Sequence, residues 1–139
     1  MMTAYDPDIL RRQLCDCKTI AVVGISSDPA KPSHYVPKYL QQHGYRIVPV
    51  NPRYQEVLGE TCYPSLAAIP FPVDMVNVFR PAPDCPPVAT DAAAIHARVL
   101  WLQLGIVSEE ARRIAEAAGM TVVMDKCIKV EHARLGVEC

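Results

Sequence analysis

The chain has 139 residues and a net charge of −1, with 50% hydrophobic and 21% charged residues. This length predicts a single domain, residues 1–139, that buries about 68% of the surface its unfolded state exposes. The apolar content argues against a disordered chain, and the balanced charge lacks the basic surface that nucleic-acid-binding proteins use.

Five short apolar runs alternate along the chain with segments of helical periodicity. Continuous apolar runs are typical of strands that are buried on both faces, as in parallel sheets. The predicted strands are residues 19–25, 46–50, 75–79, 99–104 and 121–124. The first predicted helix begins at Asp6-Pro7, and the other four span residues 33–44, 84–98, 108–119 and 127–135. Pro49 lies inside the second run, which places that strand at a sheet edge or near a strand end.

Capping residues support the helix boundaries. Asp6 is the predicted N-cap of the first helix, and Ser33 is the predicted N-cap of the second, which Gly44 ends. Ser108 begins the fourth helix and Gly119 ends it. Strands that alternate with helices imply right-handed βαβ units. The prediction is therefore an α/β, Rossmann-like doubly wound domain, with a mostly parallel five-stranded sheet and helices on both faces.

Targeting and cysteine patterns indicate a cytoplasmic protein. No stretch approaches the roughly 20 apolar residues that a membrane helix needs, and Met1–Asp6 does not begin a signal peptide. The six cysteines are expected to stay free thiols in a reducing compartment. Cys15-Asp16-Cys17 does not match a zinc pattern, so no metal is predicted. The exposed edges of such a small sheet make a homodimer reasonable, and an unidentified protein partner is the alternative.

The loop after the first strand contains the strongest signal for ligand binding. Ligands of open α/β sheets collect at the carboxyl ends of the strands. Here Gly24 is followed by Ser26, Ser27 and Lys31, directly before a helix N-terminus that could hold a phosphate group. The alternative is an ordinary polar loop between a strand and a helix.

This loop differs from the dinucleotide fingerprint, which needs three glycines where the chain has only Gly24. Asn51-Pro52-Arg53 follows the second strand, at the place where NAD-binding proteins carry an acidic residue. A neutral amide followed by a cation suits a ligand with an extra phosphate better than a bare ribose diol. NAD is therefore disfavoured, while NADP remains an alternative.

These residues resemble the CoA-binding domain family. The similar segments are AVVGIS (residues 21–26) with Lys31, VPVNP (48–52), VDMVNVFR (73–80), WLQLG (101–105) and VMDKCIKVEH (123–132). They cover nearly the whole chain. Its length fits the small stand-alone, YccU-like members best, and a similar domain occurs in the alpha subunit of succinyl-CoA synthetase.

The resemblance implies that the chain binds coenzyme A or an acyl-CoA. Gly24, Ile25, Ser26 and Ser27 would then hold the CoA pyrophosphate with the help of Lys31. The adenosine end would meet Asn51, Pro52 and Arg53, with Arg53 a candidate for the ribose phosphate. Phe79 and Arg80 would border the adenine or the pantetheine arm, and Gln103 and Gly105 would line the pantetheine path.

The departures from larger family members leave a binding module without machinery for thioester formation. The chain has neither the domain that carries the phosphorylated histidine of succinyl-CoA synthetase nor an ATP-grasp segment. No catalytic residue is predicted, because no GxSxG serine or paired cysteine and histidine is present.

Three hypotheses follow: a stand-alone CoA or acyl-CoA binding protein, an NADP-binding enzyme, and a separated subunit of an acyl-CoA enzyme. His43 and His96 are predicted to be structural, and His34 is a minor candidate for ligand contact. Cys127 is a candidate for a mixed disulfide with CoA.

Overall fold

The computed structural model describes residues 5–139; most of the short segment on which the signal-peptide prediction rests, residues 1–4, lies outside this range. The strands are β1 (Thr19–Val23), β2 (Arg46–Val50), β3 (Glu56–Val57), β4 (Glu60–Thr61), β5 (Met75–Val78), β6 (Val99–Leu102) and β7 (Thr121–Val123). The helices are α1 (Pro7–Asp16), α2 (Pro32–Gln42), α3 (Cys85–Ala94), α4 (Glu109–Ala117) and α5 (Ile128–Leu135).

Five strands form one parallel sheet in the order β2-β1-β5-β6-β7, and β3 and β4 form a separate antiparallel hairpin. The predicted doubly wound fold is confirmed. β2 lies at an edge, as Pro49 predicts, because an edge strand needs fewer ladder donors. Chain order reverses direction between β1 and β5, and this reversal creates a crevice at the carboxyl ends of these strands.

Two hydrophobic layers hold the helices against the sheet. On one face, Leu10 and Leu14 of α1 pack in the same buried cluster as Leu40 of α2 and Leu135 of α5. The other face buries mainly small residues of α3 and α4, among them Ala89, Ala92, Ala111 and Ala115, against the strands. Within residues 5–139, no helix is both long and apolar enough to cross a membrane.

Two of the predicted N-cap residues cap their helices in the structure, and a third does not. Asp6 Oδ1 accepts from Asp8 N at 2.9 Å, and Ser108 Oγ accepts from Ala111 N at 3.1 Å, as expected of N-caps. The prediction of Ser33 as an N-cap is wrong, because α2 begins earlier, with Lys31 at the N-cap position. The proline that follows Lys31 has the backbone angle of a first helical residue, which accounts for the earlier start.

The helix predicted over 84–98 is shorter than expected. α3 ends at Ala94, and His96 adopts a left-handed φ of +61° in the turn that follows. Arg98 N already donates to Asp74 O at 2.8 Å, at the start of the next strand. The chain therefore leaves the helix early in order to enter the sheet.

The expectation that every cysteine is a free thiol is wrong for Cys15 and Cys139. They form a disulfide with their Cα atoms 5.5 Å apart. The C-terminal segment folds back on α1, where Arg11 Nε donates to Leu135 O at 3.1 Å. This packing brings two cysteines together although 124 positions separate them in sequence.

Candidate functional site

A cleft of about 550 Å³ lies at the carboxyl ends of β1, β2 and β5, beside the point where the strand order reverses. Ligands of open α/β folds bind at this position. Eight of the twelve predicted site residues line the cleft: Gly24, Ile25, Ser26, Lys31, Asn51, Pro52, Arg53 and Arg80. The loops after three strands therefore meet at one cleft.

Gly24 allows these loops to approach one another. Its φ is +85°, and a Cβ atom at this position would lie 2.7 Å from Phe79 O and 3.0 Å from Arg80 Cδ. Its N–H donates to Val50 O at 3.0 Å. Only glycine combines this backbone angle with so close a neighbour. Gly24 thus connects β1 to the ends of both adjacent strands.

The loop between β1 and α2 is ordered by its own hydrogen bonds. Ser26 is buried, and its Oγ accepts from Asp28 N at 3.0 Å while its N–H donates to Ser33 O at 3.1 Å. Asp28 Oδ1 accepts from Ala30 N, also at 3.0 Å. His34 Nδ1 lies 2.8 Å from Ser26 O, so this ring supports the loop from behind. These contacts position the N-terminus of α2 at the cleft.

Asn51 joins the second loop to the first. Its Nδ2 donates to Ile25 O at 2.8 Å, and its Oδ1 accepts from Arg53 N at 2.9 Å. Both ends of the amide are therefore engaged within the protein. Asn51 sets the separation of the two loops and leaves the Arg53 side chain at the cleft.

The cleft carries more positive than negative charge. Its lining includes Lys31, Arg53 and Arg80, against the single carboxylate of Asp91 on α3. Arg80 forms an ion pair with Asp84 at 2.8 Å. Across residues 5–139, neither Lys31 nor Arg53 has an ion-pair partner within 4.0 Å. Two cations are thus available to an anionic ligand.

Sequence reasoning missed one wall of the cleft and its tyrosine. This wall is formed by Pro64, Ser65 and Leu66, which follow the β3–β4 hairpin in a segment without a recognisable motif. Tyr54 also lines the cleft, and hydrogen bonds with Ser27 lower the pKa of its phenol. The position of Tyr54 three residues after Asn51, in a loop already considered, was the available signal.

Four predicted residues do not line the cleft: Ser27, Phe79, Gln103 and Gly105. Gln103 is buried, and its Oε1 accepts from Ile128 N at 3.0 Å and Asn77 Nδ2 at 3.2 Å. The exposed Gly105 donates its N–H to Asp125 Oδ1 at 2.6 Å. Gln103 therefore anchors the first turn of α5 to the sheet.

Two buried titratable residues of α5, Glu131 and His132, lie outside the cleft. His132 Nδ1 is 2.8 Å from Tyr39 OH, and burial lowers the pKa of this imidazole. Although burial alone would raise it, the pKa of Glu131 is lowered by its hydrogen bond with Arg134 at 2.7 Å. In the part of the chain that the structure describes, no three His, Cys, Asp or Glu side chains are grouped as metal ligands.

Comparison with known proteins gives one consistent result. A family model described as CoA binding domain matches residues 18–133. The chain is 47% identical over 126 residues to uncharacterized protein YneT of Bacillus subtilis, covering 91% of this chain and 90% of YneT. The solved structure of cell-free ID.343 from Thermus thermophilus has a TM-score of 0.90 and 43% identity, covering 94% of this chain and 98% of that one.

A larger enzyme contains a similar region. The chain is 35% identical over 112 residues to ADP-forming acetate–CoA ligase II of Archaeoglobus fulgidus. The match covers 79% of this chain but only 16% of the ligase.

Proposed function

The chain belongs to the CoA binding domain family, and from that premise we propose that it binds coenzyme A or an acyl-CoA in the cleft. The main support for this proposal is a pair of cations at the cleft: Lys31 at the end of the ordered loop after Gly24, and Arg53 on the adjacent loop. Within residues 5–139, neither side chain has an ion-pair partner. CoA is a polyanion with a pyrophosphate and a ribose phosphate. Two cations on adjacent loops match that charge distribution.

The pyrophosphate is assigned to the loop of Gly24–Ser27. The loop leads into the N-terminus of α2, where backbone N–H groups and the helix dipole favour an anion. Lys31 stands at the N-cap position and adds a positive charge at the same end of the helix. Gly24 has no side chain to block the approach of the phosphates to the backbone.

The adenosine end is assigned to the loop of residues 51–54. Arg53 is the proposed partner of the ribose phosphate, and Pro52 and Tyr54 offer surfaces for the nucleoside. Phe79 and Arg80 are assigned to the border of the adenine or the pantetheine arm. Gln103 is buried, so we assign it a supporting role behind the pantetheine path, with Gly105 at its exposed end.

The proposed role is that of a cytoplasmic binding module that acts as a homodimer or together with another, unidentified protein. Because the chain spans 16% of the acetate–CoA ligase that it matches, the activity of that ligase is not assigned to this chain. Should the isolated protein turn over an acyl-CoA, the assignment would change from carrier to enzyme subunit.

Thermal unfolding in the presence of CoA, acetyl-CoA, NAD and NADP tests the proposal. A ligand specific for the folded state stabilises it by about 2.7 kcal/mol at a hundred times its Kd. We expect CoA or acetyl-CoA to raise Tm, and Lys31→Ala to reduce the shift. Lys38→Ala is the matched control, because Lys38 is exposed on α2 outside the cleft. A shift with NADP alone would refute the proposal.

A further inference from the structure

The two ends of the described chain are held together independently of the cleft. Cys15 lies in the last turn of α1, and its disulfide partner Cys139 is the final residue of the sequence. Leu14 and Leu135 share one buried cluster, and Arg11 Nε donates to Leu135 O at 3.1 Å. These noncovalent contacts hold the end of α5 against α1 beside the disulfide.

The pair is accessible, whereas most other thiols are shielded. Cys139 is exposed and Cys15 is half-buried. Cys17, Cys62 and Cys85 are buried, and burial raises the pKa of each of these thiols, to about 11 for Cys17. Since the thiolate is the reactive form, these three are poor partners in exchange. Cys17, two residues from Cys15, is therefore a weak competitor for Cys139.

We propose that Cys15 and Cys139 form a reversible redox-modification site for low-molecular-weight disulfides such as oxidised glutathione. The thiolate of Cys139 attacks the small disulfide, and one small thiol leaves. The Cys15 thiolate then attacks the Cys139 sulfur of the mixed disulfide and releases the second small thiol. The protein loses two protons and two electrons, which the two small thiols carry away.

The bond fastens the C-terminal segment after α5 to α1 without being needed for the fold. The buried cluster of Leu10, Leu14 and Leu135 does not include Cys15 or Cys139, so we expect it to persist after reduction. Oxidation restricts the unfolded chain, because the crosslink closes a loop across 124 positions. We expect the oxidised form to have the same fold and a Tm about 10 °C higher than the reduced form.

Purified full-length protein is equilibrated with oxidised glutathione or with a dithiol, and each form is analysed by intact mass and thermal unfolding. The oxidised protein should be lighter by two hydrogen atoms, with a peptide that links Cys15 to Cys139. Cys139→Ser should abolish both the link and the Tm difference, and Cys127→Ser, which changes a half-buried free cysteine, should preserve them.

Three results would overturn the proposal. The first is equal Tm for the wild-type protein in both redox states. The second is a disulfide that involves Cys127 in place of Cys15. The third is an intermolecular bond, seen as a covalent dimer under non-reducing conditions. None of these measurements uses CoA, so the proposal stands or fails separately from the function of the cleft.

Discussion

Replacement of Arg53 by alanine should weaken CoA binding while dephospho-CoA binding stays unchanged. Dephospho-CoA lacks only the ribose phosphate, which is the group assigned to the Arg53 side chain. The fold should tolerate the change, because it is the backbone N–H of Arg53 that bonds to Asn51 Oδ1, at 2.9 Å. The loop therefore keeps its hydrogen bond when the side chain is shortened.

The expected magnitude follows from the exposure of Arg53 at the cleft. A hydrogen bond between charged groups contributes about 1.5–3 kcal/mol, and solvent around an exposed guanidinium favours the low end. We therefore expect the Kd for CoA to rise about tenfold, since a tenfold change corresponds to about 1.4 kcal/mol. The difference should shrink as salt is added, because ions screen exposed charges.

Isothermal titration calorimetry measures the Kd of the wild-type protein and of Arg53→Ala for CoA and for dephospho-CoA. The four values form a cycle that isolates the interaction between Arg53 and the ribose phosphate. Arg113→Ala on α4 is the matched control, since this exposed arginine lies outside the cleft. Equal losses for CoA and dephospho-CoA would refute the assignment of Arg53 to the ribose phosphate. The same conclusion would follow if Arg113→Ala weakened binding as much as Arg53→Ala.

Three further predictions concern stability. Gly24→Ala should lower the free energy of unfolding in urea by about 2–4 kcal/mol, because φ is +85° and a Cβ would lie 2.7 Å from a backbone oxygen. The control Gly59→Ala has nothing within 4 Å of its Cβ position and should lower it by only about 1 kcal/mol. Equal losses for the two variants would contradict this reasoning. Gln103→Leu should cost about 2 kcal/mol, because Ile128 N–H loses its buried acceptor, and an unchanged urea midpoint would contradict that role. Burial lowers the pKa of His132 from 6.5, so the unfolded chain binds the proton more tightly than the folded protein does. The free energy of unfolding should therefore fall as pH drops below 6.5 toward the folded-state pKa. Urea unfolding from about pH 8 to about pH 5 should show this loss in the wild-type protein and less of it in His132→Gln, and identical pH profiles would refute it.

The order of the main elements could be predicted because the apolar runs and helical caps are local signals. All five predicted strands form, and Asp6 and Ser108 cap their helices as expected. The β3–β4 hairpin was missed because each strand has only two residues, too short for a period to appear. The sequence signal for its turn is weak and consists of Gly59, which follows Leu58; in the structure both residues have positive φ.

The loops of the cleft could be predicted, but the side chains that complete it depended on the tertiary path. Gly24 lies at the end of the first predicted strand, and Lys31 and Arg53 lie in the loops after the first two predicted strands, so the topology brings them together. Asp91 reaches the cleft only because α3 packs beside β5, which no local pattern encodes. The contact of Cys15 with Cys139 spans 124 positions and is equally invisible to sequence periodicity.

Amide chemical-shift mapping of the ¹⁵N-labelled protein during a CoA titration tests whether CoA binds in the cleft. We expect saturable shifts of the amides of Ser26, Ser27, Asn51, Arg53 and Tyr54, with little change near His96 and Gly119 at the opposite end of the sheet. Absence of shifts, or shifts confined to that opposite end, would contradict the assignment of CoA to the cleft after β1.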